Sequence, residues 1–411
     1  MQASIYSRLS AMMFLQFFVW GAWFVTLGTY LSSLGFSGTD IGSAYLTNNI
    51  GAIIAPFFAG MIADRFFASQ KVSGLMHLFG AGVLYYVTTL SGPGEIIFWL
   101  LVYNAAYMST LALANSISFA QMSDPDLQFP KVRVWGTVGW IVAGLSISLI
   151  LAAQVDNVEA TNVPMTMAAL FSAVLGLYCF TLPDTPPAGK GRAVSISDVL
   201  GLDALSLFRE RAFSVFALSS LLICVPLAFY YSFANLYLNE LGMSGVAGKM
   251  TMGQMSEALF LLAMPFFFRR LGVKWMLLVG MLAWVVRYVF FAYGSMDLIG
   301  LLYLGILLHG ICYDFFFVTG QIYVDRKASE NIRASAQGLI TLLTYGAGMA
   351  IGTYVAGVIV DSFVTPDGHD WQTIWLIPAG FAALVAVLFS LTFTDTSVDE
   401  PAQNKKHEAY S

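Results

Sequence analysis

Residues 10–33 read SAMMFLQFFVWGAWFVTLGTYLSS, an apolar stretch of 24 residues without a charged side chain. As a helix rising about 1.5 Å per residue, it is long enough to cross the ~30 Å hydrocarbon core of a bilayer. The stretch is too long and too aromatic for the apolar region of a secretory signal, and no small-residue cleavage site follows it. It therefore predicts an uncleaved membrane-spanning helix.

The composition indicates that this pattern recurs. Of 411 residues, 58% are hydrophobic and 10% are charged, whereas soluble domains have roughly 45–50% and 25%. About 238 apolar side chains, at roughly 20 for each spanning helix, suffice for about twelve helices. This apolar content excludes a disordered chain, and a net charge of −5 offers no basic face for nucleic acid. The three cysteines lie in apolar runs, so a disulfide-stapled secreted domain is also excluded.

Twelve apolar runs, numbered here as spans 1 to 12, are separated by short polar breaks. They are continuous and do not alternate with period two as the strands of a membrane β-barrel do. They cover residues 10–33, 41–63, 71–90, 94–120, 134–154, 163–182, 212–239, 249–268, 273–294, 298–325, 333–361 and 371–394. The prediction is an all-α polytopic membrane protein.

The lysines and arginines indicate the orientation of the chain. Seventeen of the nineteen lie in alternate breaks or beside the termini, from Arg8 before span 1 to Lys406 in the tail. The exceptions are Lys249 and Arg287, of which the latter lies inside a span. Because cytoplasmic loops are enriched in these residues, both termini and those breaks are predicted to be cytoplasmic.

One long polar stretch, residues 183–211, links six predicted helices to six. We therefore expect an N-terminal six-helix bundle (1–182), a cytoplasmic linker (183–211), a C-terminal six-helix bundle (212–394) and a cytoplasmic tail (395–411). Two six-helix halves are typical of secondary transporters that bind their solute near the bilayer midplane.

A short motif, residues 60–65, lies at the end of span 2 and the start of the following break, and it reads GMIADR. A glycine allows helices to approach closely, and an acid–base pair at the membrane surface can latch one helix end to another. Taken alone, a snorkelling surface pair is the alternative. The motif resembles the G-x-x-x-D-R loop of the major facilitator superfamily, which implies a gating role for Gly60, Asp64 and Arg65. It also implies the major facilitator fold, with 12 transmembrane helices in two six-helix halves.

Five colinear blocks in both halves resemble the nucleoside:proton symporter family of that superfamily. They are residues 15–23 (LQFFVWGAW), 133–139 (RVWGTVG), 254–257 (QMSE), 313–316 (YDFF) and 333–338 (RASAQG). The similarity runs from about Leu15 to the end of span 12. It implies proton-driven uptake of nucleosides across a bacterial inner membrane, by a chain that we expect to act as a monomer.

Four ionisable residues lie inside predicted spans or at their inner ends, namely Glu257, Arg287, Asp314 and Arg133. A charge at a helix centre costs at least ~2.5–3.5 kcal/mol, so such residues are functional candidates by default. Gln254 shares a helix face with Glu257, and an amide beside a carboxyl suits a hydroxyl-bearing or heterocyclic solute. An apolar cavity also favours the protonated form of a carboxyl group. The alternative is that these residues form two structural ion pairs, Arg287 with Asp314 and Arg133 with Glu257.

The family resemblance implies site roles at the matching positions, which are Arg133, Thr137, Gln254, Glu257, Tyr313 and Asp314. On this basis we expect Glu257 to carry the coupled proton, assisted by Asp314, and the other residues to bind the solute.

Two departures from the family concern the substrate. In span 7 the nucleoside carriers have a Gln and an Asn where this chain has Ala228 and Tyr231, and in span 10 Phe317 replaces an Asn. Fewer amide donors and more aromatic faces weaken the case for recognition of a nucleobase edge. A stacking ring, as in a sugar or glycoside, is therefore the alternative solute.

Cavity lining is predicted for Gln16, Trp20, Tyr231 and Asn235. Gln16 and Trp20 follow at helical spacing in span 1, and Asn235 comes one turn after Tyr231 in span 7. Helix packing is the alternative for an aromatic stripe of this kind. His309 is a candidate proton relay, although a structural role is the more common one for a lone histidine on an apolar helix.

The sequence contains no recognisable ATP-binding, metal-binding or catalytic motif. We therefore predict a proton-coupled secondary transporter, not an enzyme, which imports nucleosides or nucleoside-like solutes by alternating access. Its expected partners are the solute, protons and membrane lipid, without a cofactor or metal. Two rivals are a sugar or glycoside:proton symporter of the same fold and a solute sensor that does not transport.

Overall fold

The computed structural model describes residues 2–63, 67–186, 202–329 and 332–394, and this part is almost entirely helical. Its main helices follow the twelve predicted spans. Spans 1 to 6 are formed by Ala3–Phe24 and Leu27–Ser33 (span 1), Gly38–Ala63 (span 2), Ser69–Val87 (span 3), Pro93–Ala120 (span 4), Pro125–Leu145 and Ser146–Leu151 (span 5), and Val163–Cys179 (span 6). Spans 7 to 9 are formed by Arg211–Glu240 (span 7) and Val246–Tyr293 (spans 8 and 9). Spans 10 to 12 are formed by Ile299–Leu307, His309–Tyr313, Asp314–Val318 and Thr319–Lys327 (span 10), Arg333–Thr341, Leu342–Gly348 and Met349–Ser362 (span 11), and Trp371–Thr392 (span 12).

Eight helices of the described part are long and apolar enough to cross a membrane. One of them, Val246–Tyr293, has 48 residues, about twice the length that a bilayer requires. Its backbone breaks at Gly272, where φ is 68° and ψ is 177°, a conformation that glycine adopts without steric cost. The break lies between spans 8 and 9, as the sequence predicts. Val163–Cys179, in span 6, is a shorter apolar helix.

Wide π-helical turns interrupt three of the spans: Ser146–Leu151, Asp314–Val318 and Leu342–Gly348. The connections contain 3₁₀ turns at Val158–Ala160 and Leu202–Arg209. A small antiparallel hairpin, Val364–Thr365 with Gly368–His369, follows span 11. Turns of the π type are rare and often mark functional sites, which directs attention to spans 10 and 11.

The described residues form two compact units, of which the first comprises those within Met1–Val194 together with Ala228–Thr251 and Met349–Asp370. Within it, span 1 packs on span 5, span 2 on spans 4 and 11, and span 3 on span 6. Glycine permits the closest of these approaches, because a side chain on Gly139 would collide with the backbone of Phe14.

The second unit comprises the described residues within Ser195–Leu227, Met252–Gly348 and Trp371–Ser411. Aromatic packing dominates its core. Tyr288 stacks on Trp375 with 5.5 Å between ring centroids, and its hydroxyl donates to the carbonyl oxygen of Pro226 at 2.5 Å. These contacts join spans 7, 9 and 12.

The division into halves at residues 183–211 stays a prediction. Residues 187–201 of the linker and 395–411 of the tail lie outside the described residues. The first unit includes parts of spans 7, 8 and 11, which belong to the predicted C-terminal half. Their contacts with spans 1 and 2 are therefore contacts within one compact unit.

Candidate functional site

A chain of three ionisable side chains joins spans 8, 9 and 10 in the second unit. The side chain of Glu257 is 30% exposed, and its Oε2 lies 3.9 Å from Nε2 of His309. Nδ1 of His309 lies 3.1 Å from Nη1 of Arg287, which is fully buried. Because a guanidinium can only donate, Nδ1 is the acceptor of this hydrogen bond. The chain therefore runs from a buried cation to a carboxyl that solvent or solute can reach.

Asp314 begins the π-helical turn of span 10. Its side chain is 1% exposed, and its Oδ2 has no hydrogen-bond partner among the described residues. A charged carboxylate with an unpartnered buried oxygen is costly, so this group is suited to hold a proton. The Arg287–Asp314 ion pair considered from the sequence is not found among the described contacts, where Arg287 meets His309 instead.

Three aromatic residues pack together beside Asp314. The hydroxyl of Tyr345 donates to that of Tyr313 at 2.5 Å. The ring of Phe317 lies 5.1 Å from the ring of Tyr313 and 5.4 Å from that of Tyr345. Tyr313 is a predicted site residue, whereas Tyr345 is not. Tyr345 reaches this position from the widened turn of span 11, which has no signature in the sequence.

The first unit contains a cavity of about 240 Å³. The guanidinium of Arg133 lies 4.0 Å from the centroid of the Phe17 ring, a cation–π contact. Nε1 of Trp20 is buried and has no hydrogen-bond partner among the described residues. A cation, an indole donor and an amide among apolar walls are the composition of a small-molecule site. The lining residues are Met13, Phe17, Trp20, Leu111, Ala114, Asn115 and Arg133.

Two of these lining residues, Arg133 and Trp20, are predicted site residues, whereas Phe17 and Asn115 are not. Phe17 belongs to one of the blocks that resemble the family, and that block was the available signal for it. Thr137 lies one turn after Arg133 and is half-buried. Gln254 is likewise half-buried, one turn before Glu257 in the second unit, and the two therefore share a helix face.

Gln16 does not line this cavity. Its side chain is 1% exposed, and its Nε2 donates to Oγ1 of Thr110 at 2.7 Å. Its Oε1 lies 2.9 Å from Nε2 of His77, which is therefore the donor. The amide ties spans 1, 3 and 4 together, as the packing alternative from the sequence expected.

Asn235 lies in a buried cluster around the carboxylate of Glu159, which is 4% exposed. Oε2 of Glu159 accepts from Nδ2 of Asn235 at 2.8 Å and from Nδ2 of Asn239 at 3.3 Å, and its Oε1 accepts from the backbone N–H of Ala247 at 3.0 Å. Oδ1 of Asn235 accepts from the hydroxyl of Thr29 at 2.6 Å. The cluster ties the connection between spans 5 and 6 to spans 7 and 8. Glu159 was missed because an acid in a loop has no periodic signal.

A second carboxylate ties span 11 to span 2. Oδ1 of Asp361 accepts from the backbone N–H of Gly38 at 2.5 Å, and its Oδ2 accepts from the backbone N–H of Thr39 at 2.8 Å and from its hydroxyl at 2.5 Å. The first N–H groups of a helix have no partner within the helix, so an anion here caps them. Both carboxylates, Glu159 and Asp361, lie at the span ends that are predicted to be periplasmic.

Tyr231 and the gating motif are the remaining predicted site features. Tyr231 is half-buried, with its ring 6.3 Å from that of Phe24. Gly60 lies in the helix of span 2, whereas Asp64 and Arg65 lie outside the described residues, so the gating motif stays a prediction. Within the described ranges, no group of His, Cys, Asp and Glu side chains could hold a metal ion.

Comparisons with known proteins show the family of this chain. A family model described as a nucleoside H+ symporter matches residues 3–397. The chain is 45% identical to the putative nucleoside transporter YegT of Escherichia coli (strain K12), over 95% of this chain and 94% of the relative. It is 37% identical to the xanthosine permease of the same organism, over 95% and 96% of the two chains.

A crystal structure of the nucleoside transporter NupG matches the fold. The TM-score is 0.87 at 33% identity, covering 95% of this chain and 100% of that chain. These matches confirm the predicted major facilitator fold and the predicted function as a transporter. The chain belongs to the nucleoside H+ symporter family and is a proton-coupled nucleoside transporter of the membrane, not an enzyme.

Proposed function

We propose that Glu257 carries the coupled proton while this transporter imports nucleosides into the bacterial cytoplasm. The observation that carries the proposal is the chain from buried Arg287 through His309 to half-exposed Glu257. Ionisable groups inside a membrane are costly and are retained where they act in ion or proton movement. A carboxyl that solute can reach, backed by a fixed positive charge, can change its protonation when solute binds. Asp314 assists as a second buried acid.

Solute binding is proposed for residues in each unit. In the first unit, Arg133, Thr137 and Trp20 belong to or border the cavity and offer a guanidinium, a hydroxyl and an indole N–H. In the second unit, Gln254 and Tyr313 offer an amide and a phenol next to Glu257 and Asp314. These groups match the hydroxyls of a ribose and the polar edge and flat face of a base.

Gln16 and Asn235 have a different role in this proposal. Both are nearly inaccessible, and their amides are engaged with Thr110 and His77 or with Glu159 and Thr29. A solute could bind them only after these buried hydrogen bonds had broken, at a cost of about 1–3 kcal/mol for each group left unsatisfied. We therefore assign Gln16 to helix packing and Asn235 to the closure described next.

The carboxylates of Glu159 and Asp361 are proposed to close the periplasmic side during alternating access. Each one joins a segment of the N-terminal spans to a segment of spans 7, 8 or 11 through several short hydrogen bonds. Transporters of this architecture rock one bundle against the other around a fixed site. Contacts of this kind must break when the solute enters from outside, so they are the expected latch of the closed periplasmic side.

We further propose that glycosides, the alternative solutes, are not transported. The relatives named above support this assignment, because they are a xanthosine permease and transporters described as carriers of nucleosides. Counterflow of labelled uridine in proteoliposomes tests it, with unlabelled nucleosides, free bases and glycosides as competitors. We expect competition by nucleosides but not by glycosides. Competition by glycosides alone would overturn the assignment.

The proposal also covers the membrane in which the protein lies, its orientation and its oligomeric state. The similar proteins are bacterial, and the chain is an integral membrane protein, so we place it in the cytoplasmic (inner) membrane with both termini in the cytoplasm. We further propose that a single chain surrounded by lipid is the working unit. Labelling of cysteines added at position 2 and in the tail, from either side of sealed vesicles, tests the orientation.

A further inference from the structure

The position of His309 between Arg287 and Glu257 determines which of its ring nitrogens carries hydrogen. Nη1 of Arg287 lies 3.1 Å from Nδ1 and can only donate to it, so Nδ1 presents a lone pair. The single N–H of the neutral ring is therefore on Nε2, the atom 3.9 Å from Oε2 of Glu257. A second proton on Nδ1 would point at the guanidinium and break this contact.

The backbone around His309 is held closely against span 8. A side chain on Gly310 would place its Cβ 2.7 Å from the backbone nitrogen of Glu257, so only glycine permits this approach. The hydroxyl of Ser256 donates to the carbonyl oxygen of Leu307 at 2.5 Å. His309 is therefore fixed in front of the half-exposed carboxyl group of Glu257.

We infer that His309 is a positioning residue for proton coupling. As a neutral ring it donates a hydrogen bond to the carboxylate of Glu257 after Glu257 has lost its proton. Arg287 supplies a positive charge on the other side of the ring. At 3.9 Å the two atoms are beyond hydrogen-bond distance, so the described contact is the open form of this pair. Loss of the proton from Glu257 creates an anion that Nε2–H attracts, and reprotonation releases it. The imidazole itself neither gains nor loses a proton.

This inference rests on the proposed role of Glu257 and differs from a relay role for His309. A relay requires the ring to accept a proton, and the Arg287 contact opposes that at Nδ1. A donor role requires only an N–H directed at Glu257 and an acceptor for Arg287. A glutamine side chain supplies both groups without being able to titrate, whereas leucine supplies neither at a similar volume.

The test uses the full-length transporter in proteoliposomes with three variants, His309→Gln, His309→Leu and His77→Leu. His77 is the matched control, since it is equally buried and hydrogen-bonded but lies in the first unit. Labelled uridine is followed in counterflow without a gradient and in uptake under an inward proton gradient. The readout is the ratio of gradient-driven accumulation to counterflow, which a merely structural role does not change.

We expect His309→Gln and His77→Leu to keep a ratio within about twofold of wild type. We expect His309→Leu to keep counterflow and to lose about tenfold in the ratio, the effect of one hydrogen bond to a charged group. An unchanged ratio in His309→Leu, or an equal loss in His309→Gln, would overturn the inference. Loss of counterflow in both His309 variants with an active His77→Leu would also overturn it. Failure of the wild type to accumulate uridine would instead refute the proposed function.

Discussion

The proposed periplasmic closure makes a quantitative prediction for Glu159→Gln. The carboxylate accepts three hydrogen bonds, from Asn235 at 2.8 Å, Ala247 at 3.0 Å and Asn239 at 3.3 Å, and it is 4% exposed. Glutamine has the same shape, but it removes the charge and replaces one acceptor oxygen with an NH2 group that faces other donors. The closed arrangement should lose about 1.5–3 kcal/mol, the contribution of one hydrogen bond to a charged group. That shifts the closed-to-open ratio about 10- to 150-fold towards open.

A buried cysteine can report this shift. The native cysteines, Cys179, Cys224 and Cys312, are all buried and give little background. Ser232 in span 7 is 1% exposed, and its backbone carbonyl faces Gly28 of span 1 in the first unit. A Ser232→Cys reporter should therefore react with a membrane-impermeant thiol reagent only when spans 1 and 7 separate.

The assay compares the labelling rate of the reporter in right-side-out vesicles, with and without Glu159→Gln. Asp156→Asn is the matched control, because Asp156 is an exposed acid in the same connection. We expect at least about tenfold faster labelling with Glu159→Gln and no change with Asp156→Asn. Equal rates in all three proteins would refute the reasoning that Glu159 holds the periplasmic side closed.

Three further predictions concern single side chains. Glu257→Gln should retain uridine counterflow but lose accumulation under a proton gradient, and full accumulation by this variant would remove Glu257 from coupling. Phe317→Asn should lower the free energy of unfolding by about 2–4 kcal/mol, because the ring is 6% exposed and packs on Trp284 at 5.9 Å between ring centroids. An unchanged Tm together with tighter uridine binding would show instead that the ring faces the solute. Gln16→Ala should lower the free energy of unfolding by about 1–3 kcal/mol, because it leaves the buried side chains of Thr110 and His77 without their hydrogen-bond partner. Uridine affinity should stay within about twofold of wild type. A large loss of affinity at a wild-type Tm would contradict this.

The spans and their order could be predicted from the sequence because a membrane imposes a length and an apolar composition on each helix. Even the break at Gly272 is indicated by the arginines that precede it, since charges gather where a chain leaves the bilayer. The intramembrane charges could be recognised as site candidates for the same reason, because each is an exception to that composition.

The partners of these polar residues could not be predicted, because they lie far away along the chain. Asn235 was expected to line the cavity, but the carboxylate that binds it comes from a loop 76 residues earlier. Gln16 has the helical spacing of a cavity residue, and only the packing of spans 3 and 4 shows that its amide is already used. Helical periodicity places a side chain on a face and does not say which neighbour that face meets.

The π-helical turn in span 10 is another feature that could not be predicted from the sequence. Sequence similarity indicated Tyr313 and Asp314, yet the π-helical turn that begins at Asp314 alters the register of the following residues. Tyr345 meets Tyr313 through a second such turn in span 11. Turns of this type lack a reliable residue signature, so Tyr345 becomes a candidate only through the structure.

In the proposed mechanism, Glu257 couples the entry of uridine to the entry of protons. This coupling is tested most directly by adding uridine to lightly buffered, energy-depleted cells that produce the transporter and recording the external pH. We predict a transient alkalinisation with the wild type and none with Glu257→Gln, although both exchange uridine. Uridine entry through the wild type without any alkalinisation, or an equal alkalinisation with Glu257→Gln, would contradict the account.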